Sequence, residues 1–521
     1  MSAERRHLGA RMLIVSGGIL LSRLLGLTRD VAFAHTWGTG LALAAFVIAY
    51  RIPNLLRALF GEGAFSAAFV PVFTEQIEQS GRTAAWEKAC RVISSLAVVV
   101  SVLVLIVIGI GFLMRPLFEG DLAALSLKLF PWLMPFAILI CLAAAFAAVL
   151  NSLNRFAVPA LSQGLLNVLF IAAALVVAPL VSDDPRLQVY ALVGAVLVAG
   201  TMQLGLHLVA ARRAGCAFSW QPRFNDPTVR RVGSLMAPVI LGTGVVQLNI
   251  VVDTFLAAYL GSTATTSLYY SQRLAYLPVG LFGVAMGTVC LPAMSRAAAN
   301  KDVDALLRNL RFSLRFVFFL ALPAAATMYV LRKPVVRLLF EWGDFGAEST
   351  AQTVWALLFY LPGIPAFVWA KIAVAPFYAQ QDTRTPVKVA VFCLVLNVVL
   401  NIVLMQYLAQ GGLALATSVC SYVNVVLLIS ILRSRTGGLG ALRLISGLAK
   451  TVAAAACAAV AAGFVADLYQ ADTAETVLQR LGGVFLPLGA AGIVYLLVAS
   501  ALGCPEIGTA TAIFLSGDRR E

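Results

Sequence analysis

The chain alternates long apolar stretches with short polar breaks, and the apolar stretches are apolar on every face. Between Val98 and Phe112 no charged or amide side chain interrupts the run at any period. A membrane β-strand would instead alternate over about ten residues. A spanning helix needs about 20 apolar residues at about 1.5 Å of rise each, so the pattern predicts membrane-spanning helices. Runs between breaks give fourteen, at 11–35, 40–73, 90–114, 124–151, 156–181, 187–211, 232–260, 265–295, 309–331, 350–379, 386–408, 411–432, 444–466 and 480–503. The expected fold class is an all-α polytopic membrane protein.

Composition agrees with this pattern. Of 521 residues, 61% are hydrophobic and 12% charged, against about 25% charged in soluble chains. The formal charge of +14 comes from lysine and arginine concentrated in loops on one side, while acids show no such bias. With the N-terminus inside, this is the positive-inside distribution, and it predicts that both termini are cytoplasmic. A nucleic-acid partner is not needed to explain the charge. Met1 to Arg11 has the basic flank of a signal peptide, but Arg23, Arg29 and Asp30 follow without a small-residue cleavage site, so the segment is expected to be retained. The eight cysteines are scattered with no Cys-x-x-Cys pair, and the three histidines are dispersed. No metal or redox chemistry is expected of them.

The chain also repeats itself. Asp30 and Gly38 in span 1 recur as Asp253 and Gly261 in span 7. Leu117, Glu119, Gly120 and Asp121 after span 3 recur as Leu339, Glu341, Gly343 and Asp344 after span 9. Pro71 and Pro292 close spans 2 and 8. Two six-helix units follow one another, and because six is even they enter the membrane in the same direction, related by an axis along its normal. The expected divisions are 1–222, 223–436, two additional helices over 437–505, and a cytoplasmic tail at 506–521.

Charges inside the spans carry the functional information: Arg23, Arg29, Asp30, Arg51, Arg57, Glu62, Asp253, Arg273, Arg315, Lys371 and Lys450. An arginine at the bilayer centre costs about 2.5–3.5 kcal/mol, so these side chains must face a wet cavity or pair internally. Four arginines lie on spans 1 and 2, and Arg273 lies on span 8, the repeat mate of span 2. They outnumber the acids around them, which points to an anionic ligand. Guanidinium forks match phosphate oxygens and stay charged throughout a transport cycle. Arg29, Arg57 and Arg273 are the foremost ligand candidates. Arg23 is either a ligand or neutralised by Asp30. Arg51 either lines a cavity or snorkels, and Arg315 and Lys450 read as snorkelling anchors. Asp253, near Gln247 and Asn249, either holds a coupling cation or pairs with an arginine. Pro53, Gly61, Gly63, Pro278, Gly280, Gly283 and Gly287 sit beside these charges, where helices bend around a cavity or pack closely.

Asn54, Leu55, Leu56, Arg57, Phe60, Glu62, Gly63, Ala64, Phe65, Ser66, Ala68, Phe69, Val70 and Pro71 resemble the N-L-L-R-x-x-x-x-E-G-A-F-S-x-A-F-V-P motif of the MurJ (MviN-type) lipid II flippases. Ser22, Arg23, Leu25, Gly26, Arg29 and Asp30 are similar to that family's S-R-x-L-G-x-x-R-D, and Tyr269 to Gly287 are similar to its span-8 pattern. The resemblance covers essentially the whole chain and extends to the larger superfamily of multidrug and oligosaccharide exporters. It implies transport of undecaprenyl-pyrophosphate-linked disaccharide pentapeptide (lipid II) from the cytoplasmic to the outer leaflet of a bacterial inner membrane. By the same resemblance Arg23, Arg29, Arg57 and Arg273 bind the substrate, Asp30, Arg51, Glu62 and Lys371 are gating or cavity residues, and spans 13 and 14 form a groove for the lipid tail. Partners would be lipid II, membrane lipids and cell-wall synthesis proteins, with no nucleic acid and no cofactor. The family's gating acids are Ala44 and Tyr276 here. Some members bind sodium at positions matching Asp253, Asn397, Asn401 and Thr417, and one of their acids is Asn401 in this chain.

Other classes fit less well. A flippase for another polyprenyl-linked glycan shares the pyrophosphate and is separated only by the motif. An exporter of organic cations should line its cavity with acids. An intramembrane enzyme acting on polyprenyl phosphates needs carboxylate pairs or a histidine near the basic cluster. Asp183 and Asp184, however, lie in a short external loop.

Overall fold

A computed structural model describes residues 22–61, 63–117, 119–437 and 441–508. Glu62, most of the tail and the beginning of span 1 lie outside the described residues. Of the described residues 89% are helical, and none of them lies in a strand. It is a multi-pass membrane protein. Eleven described helices are long and apolar enough to cross a membrane. The remaining expected spans have local explanations. Span 1 begins before residue 22, spans 2 and 3 run on within Leu41–Leu117, and span 8 is rich in hydroxyl side chains.

Packing divides the chain into two compact units, 1–266 and 267–521. The first contains α1 (22–37), α2 (Leu41–Leu56), α3 (Ala64–Met114), α4 (Asp121–Leu133), α5 (Pro135–Ser152), α6 (Ala157–Ala172), α7 (Tyr190–Arg213) and α8 (Pro227–Leu260). Here α3 packs on α5, α5 on α7, and α8 on both α3 and α2. Stacked Phe65, Phe69 and Phe73 line its core with Trp86, Cys141 and Phe146. The packing boundary therefore falls after α8, whereas the repeat places a boundary before it at 222. Sequence periodicity registers descent from a common unit; packing registers which side chains touch.

α9 (Ser262–Pro278) carries the chain into the second unit, which continues as α10 (Val284–Ala299), α11 (Val303–Val330), α12 (Arg332–Phe340), α13 (Ala347–Tyr360), α14 (Ile364–Ala373), α15 (Arg384–Leu408), α16 (Gln410–Thr436), α17 (Ala441–Leu468) and α18 (Val477–Ala501). α11 is central, packing on α10, α14 and α17, while α17 and α18 form a hairpin. Alanines 454, 455, 458 and 462 let α17 approach Phe319 of α11 closely, and the Tyr495 hydroxyl of α18 donates to the Phe319 carbonyl at 2.5 Å.

The repeat is visible in backbone geometry. Gly38 and Gly261 end α1 and α8 at positive φ (50° and 113°), a conformation that a Cβ disfavours. Single π-turns occupy Arg57–Gly61 and Val279–Gly283, repeat-related positions beside the arginine-bearing stretches of spans 2 and 8. Two expected boundaries differ. Span 2 is interrupted at this π-turn, and the next helix runs to Met114 through a kink at Gly81 (φ 77°, ψ 166°).

Candidate functional site

In the first unit Arg29 is committed to its surroundings. Its Nε and Nη2 donate to Asp30 Oδ1 at 3.0 and 2.7 Å, and its Nη1 donates to Asn167 Oδ1 of α6 at 3.0 Å. The Phe33 and Phe170 rings lie 5.8 and 5.9 Å from the guanidinium carbon. Asp30 is only 3% exposed, and a buried carboxylate requires such a counter-charge. The acid that sequence reasoning offered to Arg23 is thus engaged by Arg29. Arg23 is exposed and makes no hydrogen bond or ion pair among the described residues.

Arg57 opens the π-turn, half-buried, with Nε donating to Asn54 Oδ1 at 3.0 Å. Gly61 closes that turn against α5, where an added Cβ would lie 3.7 Å from the Cys141 Cα. Arg51 does not extend into lipid. Its Nε donates at 2.7 Å to Thr254 Oγ1 of α8, a hydroxyl that itself donates to the Ile250 carbonyl. One turn away, Asn249 Nδ2 lies 3.4 Å from Asp253 Oδ2.

In the second unit Arg273 is exposed on α9, its guanidinium 5.0 Å from the Tyr269 ring centroid. Lys371, also exposed, lies on α14. Gly283 and Gly287 bring that helix close, since Cβ atoms added there would lie 3.4 Å from Val368 Cγ1 and 3.7 Å from the Lys371 carbonyl. The small residues in span 8 therefore serve close packing as well as bending. Of the two departures, Ala44 is fully buried and Tyr276 stacks on Phe367 at 5.2 Å.

The cation-site candidates divide between units: Asp253 in the first, Asn397, Asn401 and Thr417 in the second. In the second, Asn401 Nδ2 donates to Asn397 Oδ1 at 2.8 Å, both side chains are buried, and Thr417 Oγ1 donates to the Leu413 carbonyl. The amide that stands where an acid is expected thus spends a donor on its neighbour's oxygen. Neither α15 nor α16 contains a carboxylate. These three residues supply neutral amide and hydroxyl groups and no carboxylate. No cluster of three potential metal ligands occurs among the described residues.

Of the two expected anchors, Arg315 is held in an ion pair and Lys450 is exposed. Arg315 Nη2 pairs with the buried Glu506 at 2.7 Å, and Lys450 Nζ lies 3.5 Å from the Gly503 carbonyl. Sequence reasoning also passed over Asn54, Asn167 and Thr254, the uncharged groups that receive the arginines. Single amides and hydroxyls inside apolar runs are themselves costly to bury unpaired, and that cost was the available signal.

The family model described as "Lipid II flippase MurJ" matches residues 33–480. The chain belongs to the MurJ lipid II flippase family. Among MurJ relatives, a probable lipid II flippase of Vibrio cholerae is 36% identical, covering 80% of this chain and 81% of that protein. One from Rhizobium meliloti is also 36% identical, covering 94% and 93%. A solved MurJ structure in an inward closed conformation shares the fold, with a TM-score of 0.75 at 24% identity over 94% of this chain and 98% of that one. The MurJ match spans Arg51, Arg57, Asp253, Arg273 and Lys371, whereas Arg23 and Arg29 precede residue 33.

Proposed function

We propose that the protein is a lipid II flippase that carries the polyprenyl-diphosphate-linked glycopeptide from the cytoplasmic to the outer leaflet of the bacterial inner membrane, with both termini cytoplasmic. The family match over residues 33–480 carries this reading. The protein is a transporter and not an enzyme. Arg23, Arg57 and Arg273 bind the diphosphate as guanidinium forks. Arg29 contributes positive charge while also neutralising Asp30. Asp30, Arg51, Glu62 and Lys371 shape the polar path. The two six-helix repeats alternate between conformations of different affinity, so that binding shifts their equilibrium. The α17–α18 hairpin accompanies the lipid tail. Cell-wall synthesis proteins would be its partners in the cell.

Arg57→Gln and Arg273→Gln test the reading better than Arg29→Ala, which would strand a buried acid. Each variant should accumulate to wild-type levels yet fail to rescue a flippase-depleted strain, with lipid II remaining inaccessible from outside. Full rescue by both would remove the diphosphate role from these arginines.

A further inference from the structure

The loop between α7 and α8, residues 214–226, does not stand away from the protein. It climbs the outside of α3. Arg82 donates to the Ala214 carbonyl, and Trp86 Nε1 donates to the Ala217 carbonyl at 2.6 Å. Higher up, the Gln221 and Arg223 amides donate to the Ser94 and Ser95 hydroxyls at 3.0 and 3.2 Å. Asp226 then pairs with Arg91 at 2.8 Å. Burial works to raise the Asp226 carboxyl, but hydrogen bonds from Arg91 and Thr228 outweigh it and hold the group below its usual value.

Helical rise fixes the height of this strap. Ser95 to Met114 spans about 29 Å at about 1.5 Å per residue, close to the hydrocarbon thickness. The exposed large apolar side chains of α3 begin at Val99 and continue through Val102, Leu105, Ile106 and Ile110. The 220–224 segment, bonded at Ser94 and Ser95, therefore lies about one helical turn outside the lipid-facing belt, at headgroup level. There it exposes Trp220 (59%) and Phe224 (49%). Arg223 and Arg230 are exposed there and make no ion pair among the described residues, and Arg230 Nη2 donates to Asn225 Oδ1 of the strap at 2.8 Å. The only acid between 212 and 231 is Asp226, which Arg91 occupies.

We propose that the upper end of this strap is a binding site for an acidic phospholipid: Trp220 and Phe224 seat in the interfacial layer, where amphipathic rings concentrate, and Arg223 and Arg230 hold the headgroup phosphate. The site is separate from the transport path and does not rest on it. Full-length protein in neutral detergent is titrated with dioctanoyl phosphatidylglycerol or dioctanoyl phosphatidylcholine by calorimetry. The wild type should prefer phosphatidylglycerol. The double Arg223→Gln/Arg230→Gln variant should lose at least tenfold of that affinity, since each basic residue near an anionic surface contributes about fivefold. The corresponding double lysine variant should keep most of it. In a second measurement, brominated phosphatidylglycerol should quench wild-type tryptophan fluorescence more than that of Trp220→Phe, a substitution that preserves packing. Equal affinity for the two lipids, undiminished binding by the glutamine variant, or identical quenching of Trp220→Phe would each overturn the proposal.

Discussion

The two units place their charges differently although they repeat one plan. In the first, three of the four arginines inside the spans are tied down: Arg29 to Asp30 and Asn167, Arg51 to Thr254, Arg57 to Asn54. In the second, Arg273 and Lys371 stay exposed, and two ionic clusters lie at the ends of the extra hairpin. The repeated Leu-Phe-Glu motif shows the contrast directly. Glu119 is exposed and makes no hydrogen bond or ion pair among the described residues. Its mate Glu341 accepts from Arg337 Nε at 3.0 Å, from Arg480 Nη2 at 3.3 Å and from the Thr350 hydroxyl at 2.7 Å. Arg480 also donates to the Glu341 carbonyl and lies 4.5 Å from the centroid of the Trp342 ring. An acid inherited at a helix end has become the socket for a helix that only the second unit carries. Repetition conserves backbone conformation; added neighbours decide what a repeated side chain does.

The largest effect should separate Arg29 from Arg273. Removing Arg29 strands the buried Asp30, a loss of about 3–5 kcal/mol. Arg273→Ala, at an exposed position, should stay within about 1 kcal/mol. Thermal unfolding in detergent measures both. Restoration of much of the Arg29→Ala loss by adding Asp30→Asn would identify the stranded charge as its cause, while equal shifts for Arg29→Ala and Arg273→Ala would break the contrast.

Next comes the repeated glutamate. Glu341→Ala leaves Arg337 and Arg480 facing each other without their acid and should cost about 3 kcal/mol, whereas Glu119→Ala should change stability by less than about 0.5 kcal/mol. Limited proteolysis of the 469–476 turn would report whether the hairpin has loosened in the first variant alone. Its other end should respond more weakly. Arg315→Ala removes the partner of Glu506 but leaves Lys450 nearby, and we expect a loss of about 2 kcal/mol. Gly447→Ala should mimic it, because the new Cβ would lie 2.6 Å from the Arg315 guanidinium carbon. A neutral outcome at both positions would mean that apolar packing on Phe319 alone holds the hairpin.

The sequence shows some of this contrast and hides the rest. Spans are legible because apolar runs have no other solvent than the bilayer, and the repeat is legible because Gly38, Gly261 and the motif glycines keep backbone conformations that other residues resist. The arginines stand out because charge is rare in such runs. Their partners do not, since Asn167 lies 138 residues from Arg29 and Thr254 lies 203 from Arg51, and nothing local connects them. The Glu341–Arg480 socket is hidden for a related reason: each residue reads as an ordinary loop charge until α18 is docked. The Asn397–Asn401 bond was within reach, because residues four apart on a helix face one another.

The smallest expected effect concerns a loop in the second unit that ties α15 to α16. Asp382 accepts from the Thr385 hydroxyl and amide at 2.6 and 3.0 Å and from Arg435 Nη1 at 2.8 Å, and these bonds hold its carboxyl well below the usual carboxylate range. A carboxyl lowered in the folded state adds stability that is complete above its unfolded value of about 3.9 and disappears as pH falls toward the folded value. Solvent screening limits the gain to about 1 kcal/mol or less. The thermal transition of the wild type should therefore exceed that of Asp382→Asn by a constant margin between pH 6 and pH 8, as about three units above the carboxyl's range leaves no titration there. Below about pH 4 the margin should shrink. A margin that persists unchanged to about pH 2 or widens on acidification would show that the turn is held by the Thr385 hydroxyl and the chain around it, with the charge on Asp382 adding nothing.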